Sequence, residues 1–369
     1  MAALPLTGIR VLDMSRVLAG PLCGMMLGDL GADVIKVERA GRGDETREWG
    51  PPFDDRGRSA YFLSTNRNKR SLAVDLRVDS DRGLISDLVR DADVVLENFL
   101  PGTLEQFGMS ASAALETNTR LIWCTITGFG AASRRPGYDF VVQAESGWMS
   151  ITGEPAGEPM KAGVALADVI AGKDAAVAIL AALAGRERRH PIERRLVISL
   201  IDSARAALVN VAQNALVSGA NARRWGNAHA NLTPYQLFQA SDRAIVIAVG
   251  SDDQWMSCVR ALGLSDLERD ARLATNSGRL ANRDVIVHAF ADRLRQRSAA
   301  EWMSLLHAAR VPCGIIKSVL EAIGDAGDVS AITGMPSSVR GTPRLPPPEL
   351  DEHGAAIRRN GWNAFPVTR

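Results

Sequence analysis

The stretch Gly8-Ile-Arg-Val-Leu-Asp-Met-Ser-Arg-Val-Leu-Ala-Gly-Pro-Leu-Cys-Gly-Met-Met-Leu-Gly-Asp-Leu-Gly-Ala-Asp-Val-Ile-Lys-Val-Glu-Arg39 decides the fold class. Ile9 to Met14 reads as a strand and Asp33 to Glu38 as a second. Pro21 to Leu30 reads as a helix, with proline tolerated in its first turn and Gly31 as its C-terminal stop. The three together make a βαβ unit. Outward from it, an apolar run from Val94 to Leu96 follows a helical stretch from Gly83 to Arg90, and Leu121 to Thr125 makes another strand. Strands alternating with helices through about residue 130 predict an α/β architecture with a parallel sheet.

Asp168 to Ala184 is Ala-rich and apolar almost all round, as a buried helix is, and Val197 to Val217 reads as a second helix of similar character. From Ser218 the chain turns polar, with Gly219, Asn221, Arg223, Arg224, Gly226 and Asn227, and reads as a linker. Beyond it, Ala244 to Val249 reads as a strand, and Gln254 to Leu262, Asp284 to Arg297 and Ala300 to Ala309 as amphipathic helices. Pro346, Pro347 and Pro348 forbid a helix there and suit an extended arm. The expected organisation is a large domain over residues 1–217, a linker over 218–233, a small α+β domain over 234–325 and an arm over 326–369 that returns to the large domain. There are no internal repeats.

At 369 residues the chain is long enough for about two domains, and 46% hydrophobic with 23% charged residues rules out a disordered or low-complexity polypeptide. Lys and Arg number 43 against 42 Asp and Glu, so the charge of +1 offers no basic field for nucleic acid or an acidic membrane, and an anionic ligand must be gripped locally. Cys23, Cys124, Cys258 and Cys313 lie far apart, without a CxxC pair or a histidine at ligand spacing, which argues against a metal site and a disulfide framework. A reducing cytoplasm is the expected compartment. Arg10, Asp13 and Arg16 break up the first 22 residues, unlike a signal peptide. The longest apolar helical stretch, Ala175 to Ala184, is far short of the ~20 residues of a membrane span.

Gly20, Gly24, Gly28 and Gly31, with Glu38 at the end of the next strand, invite a dinucleotide reading, but the spacing is not GxGxxG. Glycines four apart share one helical face and are more simply read as letting that helix pack closely. Gly172-Lys173 lacks the flanking residues of a P-loop, no serine sits in a GxSxG elbow, and the five histidines are scattered. The loop Gly163-Val-Ala-Leu-Ala-Asp168, running straight into the apolar helix, is more telling. Asp168 is either an N-cap or a partly desolvated carboxylate nucleophile, and the helix dipole favours its anion in both cases.

The opening stretch up to Pro21, and Leu27 to Arg39, together resemble the class III coenzyme A transferases. Further landmarks follow in order: Asn68-Lys-Arg-Ser71, Glu97-Asn-Phe-Leu-Pro-Gly102, Gly137-Tyr-Asp139 leading to Gln143, Ile151-Thr-Gly153, the Asp168 loop, Leu200-Ile-Asp-Ser203 and Pro234-Tyr235. The resemblance implies a Rossmann-like large domain, a small domain and ring-shaped subunits interlocked as a homodimer. It makes Asp168 the nucleophile that takes an acyl group from acyl-CoA as a mixed anhydride and then forms an aspartyl-CoA thioester. It places Val17, Leu18 and Ala19 along CoA, Arg39 near the adenine with Val74 and Arg77 nearby, Asn98 and Phe99 at the pantetheine, and Tyr138 beside the active site. CoA and acyl-CoA are then substrates alongside small carboxylic acids, with no tightly bound cofactor. Gly43 to Phe53 looks like the branch acting on dicarboxylates such as glutarate, itaconate, mesaconate or citramalate, and Arg47 and Asp139 are the candidate substrate residues. No Gly-rich lid like that of formyl-CoA transferase is visible between Arg223 and Tyr235, which lowers oxalate and formate.

A related branch, the α-methylacyl-CoA racemases, carries a histidine base where this chain has Tyr138. A tyrosine of pKa ~10 serves poorly as a base at neutral pH, so racemisation ranks second to CoA transfer. A non-catalytic CoA-binding protein and a nicotinamide oxidoreductase rank below both. The chain departs from the family pattern at His190-Pro-Ile-Glu193, where two glycines are missing, and at Leu350-Asp-Glu-His353, after which no terminal helix is expected.

Overall fold

The computed structural model describes residues 4–325 and 341–365. The chain divides into two compact units, one of Met1–Met149, Lys161–Ala220 and Asp328–Arg369, the other of Ser150–Met160 and Asn221–Gly327.

The first unit is built on six parallel strands: β1 Arg10–Asp13, β2 Asp33–Arg39, β3 Lys69–Val74, β4 Val94–Glu97, β5 Ile122–Thr127 and β6 Arg195–Ser199. Their order, β3-β2-β1-β4-β5-β6, is that of a Rossmann fold. Val11 of β1 sits between Val34 of β2 and Val94 of β4, so β1 and β4 flank the point where the strand order reverses. Side chains alternate between two cores, as the pleat requires. Val11, Val34, Val94, Ile122 and Cys124 pack with the helices Ala19–Asp29 and Leu166–Glu187. Leu12, Ile35, Leu72, Val95 and Trp123 pack on the other face with the helix Asp79–Arg90 and with Trp362 and Phe365.

Two sequence expectations are corrected here. Val197 to Val217 is not one buried helix. Its start lies in β6, where Val197 pairs with Thr125, and the rest splits into helices Leu200–Ala206 and Val209–Ser218. The break falls at Val209, held at φ +40°, and the second helix buries none of its residues. The apolar, β-branched start of the run is a strand claimed by the sheet edge, a case in which pairing overrides a helical reading. The tail also forms a helix, Gly354–Asn360, where none was expected. Ile357 is wholly buried and Trp362 Nε1 donates to the Leu88 carbonyl at 2.9 Å.

Of the expected arm over 326–369, residues 326–340 and 366–369 lie outside the described residues. The described part runs beside β3: the Asn68 N–H donates to the Leu345 carbonyl, and the Ala73 N–H to Asp351 Oδ1 at 2.8 Å. At the turn that lacks the family glycines, Arg189 adopts the left-handed conformation with φ +57°, and the His190 N–H donates back to Gly185. A non-glycine residue thus takes the C-terminal reversal usually left to glycine.

The second unit is α+β. Its antiparallel sheet, β7 Tyr235–Gln239, β8 Ala244–Ala248 and β9 Cys313–Ile315, is ordered β7-β8-β9. Trp255, Phe290 and Trp302 fill its core beneath the helices Asp252–Leu262, Arg283–Leu294 and Ala299–Ala308.

Candidate active site

A Rossmann-type sheet binds ligands beyond the carboxyl ends of its strands at the switch point. The loops after β1 and β4 meet there. Asn98 accepts the Arg16 N–H on Oδ1 at 2.9 Å and donates from Nδ2 to the Arg16 carbonyl at 2.8 Å, so one side chain fastens the two loops. Lys36 Nζ donates to the Ser15 carbonyl and to Asp44. These ties hold Val17 at φ +71°, a conformation a β-branched residue rarely adopts and one met chiefly at functional sites.

Beneath the loop lies a buried network of charge. Lys69 Nζ donates to Asp13 Oδ2 at 2.8 Å, to the Pro21 carbonyl and to Asn66 Oδ1. Burial pushes the Asp13 carboxyl upward, but Lys69 and Lys36 outweigh it and hold the group below its ordinary range. The spaced glycines serve this network. A Cβ on Gly24 would strike the Asp13 carboxylate, and one on Gly20 would strike Ser15, so the helix Ala19–Asp29 lies directly on polar side chains.

A cavity of about 270 Å³ opens above, and Asp168, Val17, Leu18, Ala19, Asn98, Phe99 and Tyr138 all line it. A second cavity, of about 370 Å³, is lined by Arg39, Val74 and Arg77. Arg16 and Phe99 line both, with the Arg16 guanidinium 5.3 Å from the Phe99 ring centre. All the residues that the family resemblance assigns to catalysis or to CoA thus border two cavities with a shared wall.

Asp168 is the third residue of the helix Leu166–Glu187. It is not the N-cap: Ala165 holds that position and contributes no side-chain cap. Among the described residues its carboxylate makes no hydrogen bond or ion pair. Burial, with the nearby Asp139 charge in second place, raises its pKa to about 7. An unpaired, poorly solvated carboxylate beside an open cavity is a group equipped to act as a nucleophile or a proton carrier.

The two candidate substrate residues have other partners. Arg47 donates twice to Glu38, each time at 2.8 Å, and once to the Pro348 carbonyl, and its guanidinium covers the Phe62 ring. It is a structural cation rather than a free carboxylate receptor. The same pairing removes Glu38, which also accepts from Ser71 Oγ, as a ribose-binding acid and with it the main support for a nicotinamide reading. Asp139 accepts the Ala167 N–H and the Gln143 amide and so caps the Asp168 helix from a neighbouring helix.

Sequence reasoning does not reach Tyr61, and it assigns no role to its neighbour Trp49 within the Gly43 to Phe53 segment. Their rings meet edge to face at 5.1 Å. The Tyr61 phenol is pushed up to about 12 by burial and by the carboxylates of Asp168, Asp139 and Asp44. Tyr61 lies in the short helix Ala60–Thr65, where an aromatic residue reads as ordinary packing. Among the described residues no group of three His, Cys, Asp or Glu side chains is placed to hold a metal ion, and no helix is long and apolar enough to cross a membrane.

Residues 6–348 match the model of a family described as CoA-transferase family III. The chain is 39% identical over 379 residues to a succinate–glutarate CoA-transferase of Agrobacterium fabrum, an alignment covering 96% of this chain and 94% of that protein. It is 40% identical to the succinyl-CoA:glutarate CoA-transferase of Mus musculus, covering 87% of this chain and 74% of the relative. The crystal structure of a CaiB/BaiF family protein from Brucella suis superposes with a TM-score of 0.84 at 40% identity, over 97% of this chain and 99% of the other.

Proposed function

The chain belongs to CoA-transferase family III, and on that premise we propose that it is an acyl-CoA:carboxylate CoA-transferase whose substrates are dicarboxylates such as succinate and glutarate, with Asp168 as covalent nucleophile. The observation that carries the reading is the unpartnered Asp168 carboxylate on the cavity formed by the β1 and β4 loops.

Asp168 attacks the thioester carbonyl carbon of the donor, the C–S bond breaks, and CoA leaves as thiolate. The product is a mixed anhydride. The thiolate then attacks the Asp168 carbonyl carbon of that anhydride, releasing the donor acid as its carboxylate and leaving an aspartyl-CoA thioester. The acceptor carboxylate runs the two steps in reverse, and the Asp168 carboxylate is regenerated. Each step exchanges one activated acyl for another, so no nucleotide hydrolysis is needed, and the protein's task is to hold CoA and stabilise the oxyanions. A raised pKa makes the carboxylate a stronger nucleophile once it is ionised.

Residues lining the second cavity suit the rest of CoA: Arg39 and Arg77 offer cations for phosphates, and Val74 offers an apolar surface. Arg77 is paired with Asp75 and largely exposed, an arrangement from which an arginine is readily drawn to a phosphate. The enzyme acts as a homodimer in the cytoplasm in this reading. In support of the dimer, Val209, Leu216 and Val217 stand at least 70% exposed on one helix, which suits burial by a second subunit.

The test is mass-spectrometric. Incubation with succinyl-CoA and a pool of mono- and dicarboxylates yields a new acyl-CoA from the wild type and none from Asp168→Ala. Equal product from both proteins removes Asp168 from the mechanism.

A further inference from the structure

The transfer scheme leaves one arrangement behind the nucleophile unused. Residues 162–167 lead into the Asp168 helix with Gly163 and Val164 exposed, and they are tied at both ends to a single turn of the helix Asp139–Glu145. At the near end, Asp139 Oδ1 accepts the Ala167 N–H at 2.9 Å. At the far end, Gln143 Oε1 accepts the Ala162 N–H at 2.8 Å. Gln143 Nε2 joins the two by donating to Asp139 Oδ2 at 2.7 Å, with the Val164 carbonyl 3.4 Å away. Gln143 is completely buried.

We infer that Asp139 and Gln143 form a clamp that positions Asp168 for attack, acting through the 162–167 segment and the first helical turn without touching the substrate. The inference rests on the reading of Asp168 as nucleophile. Asp168 is one residue beyond the clamped Ala167 amide, in a helix whose own N-cap offers no side chain, so the placement of its carboxylate follows that hydrogen bond. The direction of the bonds also fixes the residue types. The Ala162 N–H donates to Gln143 Oε1, and the Gln143 amide and the Ala167 N–H both donate to Asp139, so the chain of bonds must end on a group that only accepts. An asparagine in place of Asp139 would set its NH2 against the Gln143 NH2, and turning the glutamine round would set that NH2 against the Ala162 N–H.

The Asp139 carboxylate also opposes ionisation of Asp168, adding to burial. Other titratable and charged side chains lie on the elements that carry or surround this carboxylate. Tyr61 faces it from the helix Ala60–Thr65, and Asp44 acts on Tyr61. Arg16, Glu45, Arg135 and Tyr138 line the same cavity, with Arg16 paired to Glu45 and Arg135 to Glu145. Lys173 and Asp174 follow on its own helix, with Asp174 bonded to Ser203. Asp139 is the neighbour whose charge acts most directly on it.

The experiment compares steady-state succinyl-CoA:glutarate transfer by the wild type, Asp139→Asn and the double variant Asp139→Asn with Gln143→Glu. The double variant moves the acceptor-only group along the chain of bonds: the amide introduced at position 139 donates to the carboxylate introduced at position 143, and that carboxylate still accepts the Ala162 N–H. Asp139→Asn is expected to lower kcat by about tenfold to a hundredfold, leave KM for succinyl-CoA unchanged and shift the acid limb of the pH profile downward. The double variant is expected to recover most of kcat. Wild-type kcat and pH profile in Asp139→Asn, or no recovery in the double variant, overturns the clamp. If Asp139→Asn is unfolded by circular dichroism, Gln143→Met, which loses every side-chain hydrogen bond of Gln143 at similar length, replaces it, and an unchanged kcat there overturns the inference equally. Failure of the wild type to transfer CoA, or activity in Asp168→Ala, marks failure of the functional reading instead.

Discussion

The backbones of Gly128 and Gly137 lie against each other with no room for a side chain on either: a Cβ on one collides with the Cα of the other. Gly128 follows β5, Gly137 precedes Tyr138, and both line the Asp168 cavity. The contact sets how near the Tyr138 loop comes to the end of the sheet. Gly128→Ala is therefore expected to lower kcat/KM by about tenfold or more and to cost roughly 1–3 kcal/mol of stability through overpacking. Urea unfolding and the transfer assay check it together. Wild-type values in both would show that the two segments part without consequence.

Asp168→Asn keeps the size of the side chain and removes the nucleophile. Transfer is expected to fall by at least about a thousandfold while acyl-CoA still binds, because the lost interaction exists only along the reaction. Digestion of the wild type quenched during turnover should yield an Asp168 peptide carrying CoA. A variant with measurable turnover and an unmodified wild-type peptide would together exclude covalent catalysis at this residue.

The raised pKa of Asp168 dictates the acid side of the pH profile. With a pKa of about 7, the attacking carboxylate makes up about a tenth of the enzyme at pH 6 and about nine-tenths at pH 8. The free-enzyme rate constant kcat/KM is accordingly expected to rise about tenfold between those values and to level off above them. A profile flat from pH 5.5 to 8 would mean that the carboxylate is as well solvated in the free enzyme as in a peptide.

The same shift has a consequence for stability, opposite in sign to that of a salt-bridged carboxylate. Between the unfolded pKa near 4 and the folded pKa of about 7, the native state binds more protons than the unfolded one, so the group makes the protein less stable as pH rises through that window. Above pH 7 the full cost is present. Asp168→Asn, which carries no charge, is expected to be more stable than the wild type at pH 8 by on the order of 2–4 kcal/mol, with the gap closing below about pH 4. Thermal unfolding at pH 8 and pH 4.5 measures the difference. Equal stabilities at pH 8 would argue that the folded state solvates the ionised carboxylate fully.

What the sequence discloses depends on how local each signal is. The βαβ opening and β4 are legible because Val11, Val34 and Val94 are buried in short, mostly apolar runs, whereas β3 is not, because Lys69-Arg-Ser71 begins it with polar residues, of which Lys69 and Ser71 are fully buried. β6 reads as helix because its neighbour in the sheet, not its composition, makes it a strand. Asp168 is legible from its loop and its family context. Its freedom from partners is not, since that depends on Asp139 taking over the capping. Arg47 reads as a substrate residue for a similar reason: the carboxylate it meets belongs to Glu38, nine residues back, and that pairing appears only when β2 and the turn after it are folded.

The Asp13–Lys69 pair gives a prediction about the scaffold. Both side chains are fully buried, and Lys69 satisfies Asp13, the Pro21 carbonyl and Asn66 at once. Lys69→Met strips all three of a donor and leaves Asp13 with Lys36 and Ser15, so it is expected to cost about 3–5 kcal/mol. Adding Asp13→Leu removes the stranded charge and should recover a large part of the loss, because an apolar pair of similar volume often replaces a buried ion pair without net cost. Ser15 also donates to Asp13, so the double variant is expected to stay folded while losing CoA-transfer activity as the loop at Val17 loosens. Equilibrium urea unfolding of the two singles and the double gives the coupling energy. Additive losses would show that the two charges are solvated independently and do not hold the loop through each other.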